Sequence, residues 1–306
     1  GPSTDASGEI ARDIAAEDPR VVLVDNPAAD IPVGLNLAIR ASRFPTIVRV
    51  DAHSELRPGY ARRALATLRR TRAANVGGVM RADGRSPFQR AVARAYNSPV
   101  GLGGGAYHGG TEEGPAESAY LGVFRRRVLE EVGGFDESLR RGEDWELNLR
   151  IRRAGYRVWF DPALSVVYWP RESWTRLVRQ FRATGAWRGE LVRRYGRRNS
   201  LRFFAPPVLV VSAALSLAVA VLQVLGVVRS PATHVVHGPV AAYATLVAVV
   251  ALGRGGGQGW RDRMWTAAVL PSMHLPWGTG FLWGVVRGAR DTVDTSRLDG
   301  RNTPLP

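Results

Sequence analysis

The chain has 306 residues, a formal net charge of +15 and no cysteine. This length allows one catalytic domain plus a smaller appendage, and the lack of cysteine excludes a disulfide framework. The charge would suit nucleic acid or an anionic membrane, but all 42 basic residues are arginine, as a GC-rich genome favours, and no arginine-rich run alternates with stacking aromatics. We therefore expect no nucleic-acid partner.

The N-terminal half alternates helical and β-strand patterns. Apolar residues at helical spacing predict helices, and short β-branched runs bounded by Gly, Pro or Asn predict strands. The predicted helices are Gly8–Glu17, Val33–Ala41, Leu56–Thr71, Ser86–Tyr96, Arg125–Val132 and one that opens at Glu143. The predicted strands are Val21–Asp25, Thr46–Asp51, Val76–Met80, Glu117–Phe124 and a short run after Gly155. This alternation predicts an α/β fold with a mostly parallel sheet wrapped by helices on both sides.

The stretch from Gly101 to Gly114 has seven glycines and no periodicity. Such a stretch packs no core, so it is either a mobile loop over the site or a plain solvent loop. After Phe160, an arginine-laden amphipathic helix is expected from Ser173 to Ala186.

Beyond Arg202 the composition becomes apolar. Phe203–Val228 carries no charge, and Ala232–Leu252 repeats this, so each is long enough to cross a hydrocarbon core of about 30 Å. Met264–Val286 is a third candidate, interrupted by Pro271 and Pro276, which either spans or is re-entrant or interfacial. The expected organisation is a catalytic domain (1–170), a basic interfacial helix region (171–202), a membrane region of two or three helices (203–288) and a polar tail (289–306).

Arginines indicate the orientation of these helices. They crowd the segment before the first apolar stretch and lie between the second and third, whereas only Arg229 lies between the first and second. By the positive-inside rule, we expect a multi-pass protein of the plasma (inner) membrane with a cytoplasmic catalytic domain.

Three motifs occur in a fixed order around residue 144. A glycine turn with an aromatic (Val132–Glu137) precedes an acidic pair that opens a helix (Leu139–Arg150), and a helix stop with a short strand (Ala154–Pro162) follows. This ordered set resembles the acceptor-side signature of family 2 glycosyltransferases, and more narrowly the membrane-attached branch that includes succinoglycan-type exopolysaccharide synthases. The resemblance extends from about Ser3 to Trp187. It implies a GT-A-like fold and a role in making exopolysaccharide of the cell envelope.

The acidic pair has two interpretations. Glu143 and Asp144 complement the positive end of a helix dipole and need no further role. The resemblance instead makes Asp144 the base that takes a proton from the acceptor hydroxyl, with Glu143 orienting its neighbours or the acceptor.

A second acidic motif, Asp51-Ala52-His53, follows a predicted strand, and ligands gather at the carboxyl ends of strands in α/β sheets. Asp51 and His53 could therefore bind Mn²⁺ or Mg²⁺, which would hold the diphosphate of a nucleotide sugar. The alternative is an Asx turn that caps the strand.

Three further residues are candidate ligands of the nucleotide sugar. Asp5 lies in a segment that resembles the tail of the family's Asp-Gly-x-Ser-Thr-Asp motif, whose first strand is lacking here; N-capping is the simpler role. Asn36 matches a position beside the nucleotide, or is a helix-surface residue. Arg182 lies in a partial match to Gln-x-x-Arg-Trp and either binds the leaving diphosphate or lies on anionic lipid.

The resemblance, together with these residues, implies an inverting, metal-dependent glycosyltransferase of the hexosyltransferase type. It would move a sugar from a nucleotide-diphosphate donor to a lipid-linked or polysaccharide acceptor, in contact with membrane lipids. The alternative is a truncated, non-catalytic protein that binds nucleotide sugars or a membrane surface.

Overall fold

The computed structural model describes residues 6–52, 54–102, 106–196, 199–253, 259–290 and 292, without the side chains of Ala106 and Asp262. Asp5 and His53, two of the predicted ligands, lie outside the described residues. The chain divides into two compact units. The first consists of Gly1–Met80 and Gly110–Val167, and the second of Arg81–Gly109 and Tyr168–Arg297.

The first unit is an α/β sheet with flanking helices, as expected. Its helices are α1 (Ser7–Glu17), α2 (Ile31–Ala41), α3 (Tyr60–Thr71), α6 (Arg126–Glu131) and α7 (Glu143–Arg153). Its strands are β1 (Thr46–Val48), β2 (Ser54–Leu56), β3 (Asn75–Ala82), β4 (Gly114–Pro115), β5 (Tyr120–Arg125) and β6 (Val158–Tyr168), and the last residues of β3 and β6 belong to the second unit. The sheet order is β1-β5-β3-β6-β2, and β4 pairs with β6.

The sheet is mixed rather than mostly parallel. β5 pairs antiparallel with β1, with Thr46 opposite Arg125, and antiparallel with β3, with Asn75 opposite Phe124. β4 and β6 are also antiparallel. The alternation of helices and strands predicts most of the elements, but the direction of each strand depends on which other strands pair with it.

The predicted strand Val21–Asp25 is wrong. No strand forms there, and the side chains of Val22, Leu23 and Val24 are exposed. An apolar run becomes a strand only where a neighbouring strand pairs with its backbone, and none of the described strands pairs with this one.

Apolar clusters on the two faces of the sheet hold the helices in place. Leu121 and Val123 of β5 pack with Tyr60, Ala64 and Leu68 of α3. On the other face, Phe124 packs with α6, α7 and the Phe135 turn, through residues such as Leu129, Leu147 and Ile151. Because Leu147 and Ile151 are fully buried, they fix α7 and so the acidic pair in its first turn.

The second unit is helical in its described part. Its helices are α4 (Pro87–Tyr96), α5 (Pro99–Leu102), α8 (Trp174–Tyr195), α9 (Ala205–Val224), α10 (Gly238–Leu252) and α11 (Trp260–Arg287). Glycines let α8 and α11 approach closely. A Cβ atom added at Gly185 would lie 2.0 Å from the carbonyl oxygen of Trp277, and one at Gly284 would lie 1.9 Å from that of Ala186. Small residues at such a seam permit backbone contact that larger side chains would prevent.

Two helices of this unit are long and apolar enough to cross a membrane, judged by length and composition. They are Leu201–Val224 and Pro231–Leu252, and both are largely exposed. The third apolar stretch differs, because Val269, Leu270 and Met273 of α11 are fully buried. α11 therefore buries part of its apolar surface within this unit, while Met264, Trp283 and Val286 are exposed. It runs as one helix through both prolines.

Candidate functional site

A buried arginine joins the two predicted acidic motifs. Arg49 is 7% exposed and follows directly after β1. Its Nε donates to Asp51 at 2.9 Å and its Nη2 to Glu143 at 3.2 Å, while its Nη1 donates to Asp144. The structure thus brings Asp51, Glu143 and Asp144 around one guanidinium, which we call the Arg49 cluster.

The side chains of the Arg49 cluster extend from the end of β1 and from the start of α7. The backbone N–H of Arg49 donates to the carbonyl of Gly122 at 3.1 Å, so the pairing of β1 with β5 extends one residue beyond the strand. Glu143 and Asp144 open α7 directly after Gly142, whose φ of 78° lies in the left-handed region. Glycine enters that region without steric cost, which lets the chain turn sharply before the acidic pair.

Arg49 packs on Phe135, which Asn36 in turn holds in place. Its guanidinium carbon lies 5.7 Å from the ring centroid of Phe135. Asn36 brackets Phe135, because its Oδ1 accepts from the Phe135 N–H and its Nδ2 donates to the Phe135 carbonyl, both at 2.9 Å. The same Nδ2 donates to Glu137 at 2.9 Å. Asn36 is therefore a buried tether rather than a helix-surface residue, and both of its amide hydrogens are used within the protein.

Asn148 holds the first turn of α7. Its Nδ2 donates to the carbonyl of Asp144 at 2.8 Å and to Ser118 at 3.1 Å, and its Oδ1 accepts from Asn75 at 2.7 Å. The turn that carries Asp144 is thus fixed to β3 and to the segment before β5. Such second-layer bonds keep functional side chains in one geometry.

The cluster carries excess negative charge. Three carboxylates surround one guanidinium, so the net charge is −2 when all three are ionised and −1 when Asp144 is protonated. Burial raises the pKa of Asp144 to about 7; Arg49 opposes this shift, and the charges of Glu143 and Asp51 reinforce it. Burial acts to lower the pKa of Arg49, but the three carboxylates outweigh it, so Arg49 stays charged. The side chains of Asp144 and Asp51 remain 31% and 22% exposed, so solvent reaches both.

The donor atoms of the cluster suit a hard divalent cation. Mg²⁺ and similar ions are often held by one or two carboxylates together with substrate phosphates, rather than by a full cage of protein ligands. The described residues contain no group of three or more acidic or histidine side chains arranged to hold a metal alone. The excess of carboxylates over guanidinium groups fits this shared type of site. Asp51 is the candidate protein ligand: both of its oxygens accept from Arg49, at 2.9 and 3.4 Å, and its side chain is 22% exposed.

The predicted diphosphate ligand Arg182 lies in the second unit. It is exposed on α8 and lines a cavity of about 270 Å³ with Arg179 and Trp283. Its partners in the partial motif are structural. Gln180 is bonded to the hydroxyls of Tyr96 and Tyr168 at 3.2 and 3.1 Å, and buried Trp187 donates to the Thr292 carbonyl at 3.0 Å.

Sequence reasoning missed Arg49 and Asn148. The signal for Arg49 was a charged residue inside a β-branched run, where a buried charge needs a partner. The signal for Asn148 was a polar residue one helical turn after Asp144, on the side that faces the core.

Comparison with known proteins now identifies the class. Residues 1–133 match the family model described as glycosyl transferase family 2. The chain is 32% identical over 285 residues to the succinoglycan biosynthesis protein ExoA of Rhizobium meliloti (strain 1021), covering 92% of this chain and 82% of that protein. The chain therefore belongs to glycosyl transferase family 2, and it is a glycosyltransferase similar to those of exopolysaccharide synthesis.

A solved structure supports the GT-A-like fold. The mannosyltransferase PcManGT from Pyrobaculum calidifontis, in complex with GDP-Man and Mn²⁺, aligns with a TM-score of 0.53 at 19% identity, covering 92% of this chain and 75% of that chain. The S. aureus TarS 1-349 structure aligns with a TM-score of 0.40 at 12% identity, covering 89% of this chain and 79% of that chain. The alignment with the mannosyltransferase supports the fold alone.

Proposed function

We propose that this protein is an inverting, metal-dependent glycosyltransferase of the hexosyltransferase type. It moves a sugar from a nucleotide-diphosphate donor to a lipid-linked or polysaccharide acceptor at the inner face of the plasma membrane. The observation that carries this proposal is the Arg49 cluster, which gathers Asp51, Glu143 and Asp144 at one partly exposed position.

Asp144 acts as the general base. The acceptor hydroxyl loses its proton to this carboxylate while its oxygen bonds to the anomeric carbon of the donor sugar. The bond from that carbon to the diphosphate breaks, and the nucleoside diphosphate leaves with the electron pair. A base works best when its pKa lies near the working pH, and the pKa of Asp144 is raised to about 7. One displacement inverts the anomeric configuration, so an α-linked donor gives a β-linked product.

Glu143 and Arg49 position the base. Arg49 bonds both acidic residues, and Glu143 is buried, with only 8% exposed. Arg49 fixes the direction of the Asp144 carboxylate and limits how far its pKa rises. Neither residue needs to change its protonation state during the transfer.

Asp51 would be a protein ligand of a divalent cation at the donor diphosphate. A bound Mn²⁺ or Mg²⁺ would neutralise the charge of the departing diphosphate. The excess of carboxylates over guanidinium groups in the cluster supports this assignment, as does the complex of the Pyrobaculum mannosyltransferase with GDP-Man and Mn²⁺. His53 as a second metal ligand, and Asp5, Asn36 and Arg182 as nucleotide-sugar ligands, stay predictions, with Asn36 the least favoured because its amide is engaged.

Two features support action at a membrane on a polymer or its lipid carrier. The second unit has two exposed apolar helices of 24 and 22 residues, and arginines concentrate before the first of them, as on a cytoplasmic side. The similar Rhizobium protein is named for succinoglycan biosynthesis, which supports a polysaccharide-forming acceptor.

The proposal is tested with Asp144→Asn in membranes that contain the full chain. We expect transfer of labelled sugar from a panel of nucleotide sugars to the lipid and polysaccharide fractions to fall by about 10²–10⁴-fold, the usual contribution of a general base. Nucleotide binding, measured by calorimetry with Mn²⁺, should change little. The matched control is Asp18→Asn, because Asp18 bonds Arg20 at the surface and lies outside the cluster.

Equal transfer by the Asp144→Asn variant and the unsubstituted chain would remove Asp144 as the base. If the unsubstituted chain binds nucleotide sugars but transfers none of them to any fraction, the non-catalytic alternative is correct.

A further inference from the structure

Arg49 holds both carboxylate oxygens of Asp51. Its Nε donates to Oδ1 at 2.9 Å, and its Nη2 donates to Oδ2 at 3.4 Å. Among the described residues, no other group bonds this carboxylate. A guanidinium matches a carboxylate best through such a two-point contact. The edge of the guanidinium therefore covers the side of the carboxylate on which its two oxygens lie together.

A divalent cation at Asp51 needs the same oxygens. Mg²⁺ takes its oxygen ligands at about 2.0–2.1 Å, so a cation that used both oxygens would occupy space that the guanidinium now fills. A cation on a single oxygen would still lie close to the positive charge of Arg49, and like charges at such distances repel each other. Arg49 and a divalent cation therefore cannot both bind Asp51 at full strength.

Arg49 is able to release Asp51 and stay paired. Its Nη1 donates to Asp144, and its Nη2 also donates to Glu143 at 3.2 Å. Its guanidinium carbon lies 5.7 Å from the ring centroid of Phe135. Loss of the Asp51 contact leaves the buried guanidinium with two carboxylates, so this exchange avoids the large cost of an unpaired buried charge.

Asp51 is the partner that is able to turn away. Its side chain is 22% exposed, whereas that of Arg49 is 6% exposed. Only Val50 separates the two residues, and Val50 is exposed, so Arg49 and Asp51 lie on the same side of an extended segment. The exchange therefore needs a rotation of the Asp51 side chain, and the buried arginine stays in place.

We propose that Arg49 competes with the divalent cation for Asp51. Without a cation, the guanidinium holds the carboxylate, and the cation binds Asp51 only by displacing this contact. The inference rests on the proposed function, in which Asp51 is a protein ligand of the cation. The cation alone then binds weakly, whereas the phosphate oxygens of the donor add ligands that offset the loss of the Arg49–Asp51 pair. Arg49 thus makes cation binding depend on the donor.

The test is the affinity of the full chain for Mn²⁺ in detergent, without nucleotide. The free Mn²⁺ is measured by its electron paramagnetic resonance signal. Arg49→Met should bind Mn²⁺ about tenfold or more tightly than the unsubstituted chain, because a hydrogen-bonded charge pair typically gives that factor. Adding Asp51→Asn to Arg49→Met should remove this gain, because it removes the charged ligand.

Arg140→Met is the matched control. Arg140 pairs with Asp30 at 3.1 Å outside the Arg49 cluster, so this variant also removes one arginine beside one aspartate. Its affinity for Mn²⁺ should equal that of the unsubstituted chain. Equal affinities of Arg49→Met and Arg140→Met would overturn the proposal.

A double variant separates competition from net charge. Arg49→Met with Glu143→Gln leaves two carboxylates and no guanidinium, so its charge equals that of the unsubstituted cluster when all of these groups are ionised. It also removes the buried carboxylate that Arg49→Met alone would strand. The double variant should keep the gain in Mn²⁺ affinity. If it unfolds normally but shows no gain, net charge is the cause and the competition is refuted. Where Arg49→Met does not fold, the comparison of the double variant with Arg140→Met decides.

Transfer assays separate this inference from the proposed function. If transfer requires Mn²⁺ and needs more of it in Asp51→Asn, but the Arg49 variants bind Mn²⁺ no more tightly than the unsubstituted chain, the competition fails and the proposed function stands. If Asp51→Asn binds Mn²⁺ as the unsubstituted chain does in the presence of nucleoside diphosphates, Asp51 is not a cation ligand. In that case the metal assignment of the proposed function fails together with this inference.

Discussion

Replacing Arg49 by methionine should destabilise the first unit strongly and change the titration of Asp144. Arg49 is 7% exposed and donates to three carboxylates. Methionine fills a similar volume but leaves those carboxylates facing one another without a cation. Removing one partner of a buried ion pair typically costs about 3–5 kcal/mol, mainly because the remaining charge is stranded.

The partial exposure of two of the carboxylates places the expected loss of folding free energy at the low end of that range. Asp144 and Asp51 are 31% and 22% exposed at their side chains, so water can solvate them once Arg49 is lost. The Glu143 side chain is only 10% exposed and cannot be hydrated as easily. We expect a loss of about 3 kcal/mol, which arises mostly at Glu143. This is a large part of the roughly 5–15 kcal/mol that stabilises a typical domain.

The assay is thermal unfolding of the purified chain, with Arg140→Met as the control. Arg140 forms a surface pair with Asp30 in which both side chains are exposed or half-exposed, so its loss should cost less than about 1 kcal/mol. Adding Glu143→Gln to Arg49→Met should restore part of the lost stability, because it removes the stranded charge. The reasoning is refuted if Arg49→Met unfolds like the Arg140 control, or if Glu143→Gln gives no recovery.

Three other predictions follow from the same contacts. Transfer should be lost as pH falls through about 7, because Asp144 must be deprotonated to act as the base. The folding stability linked to Asp144 has the opposite pH dependence: it is present below the ordinary pKa of the residue and is lost as pH rises through about 7. If the pH profiles of kcat/KM and of unfolding are the same in Asp144→Asn as in the unsubstituted chain, this assignment is contradicted. Chelation with EDTA should abolish transfer and added Mn²⁺ should restore it, while Asp51→Asn should raise the Mn²⁺ concentration needed; activity that is indifferent to EDTA would exclude the metal. Gly284→Ala should destabilise the α8–α11 pair by about 1–3 kcal/mol, because its Cβ would lie 1.9 Å from the Ala186 carbonyl oxygen, whereas Gly238→Ala meets no atom within 4 Å and should be neutral in thermal unfolding.

The sequence alone determined the family and most of the elements. Helical periodicity correctly predicted α2, α3, α4 and α7, because amphipathic spacing is a local property of the chain. The order of the glycine turn, the acidic pair and the strand after Gly155 indicated family 2, which the similarity to the Rhizobium protein confirms. Runs of apolar residues likewise predicted the two helices that are able to cross a membrane.

Properties that depend on distant partners were decided only by the tertiary structure. Val21–Asp25 has the composition of a strand but no described strand pairs with it, and the direction of β5 follows from its pairing with β1 and β3. The third apolar stretch became the packed helix α11, because glycines on α8 and α11 allow their backbones to touch. Arg49 and Asp144 are 95 residues apart in the chain, and no local pattern relates them. Only folding brings the two acidic motifs to one guanidinium, and that contact sets the charge of the site.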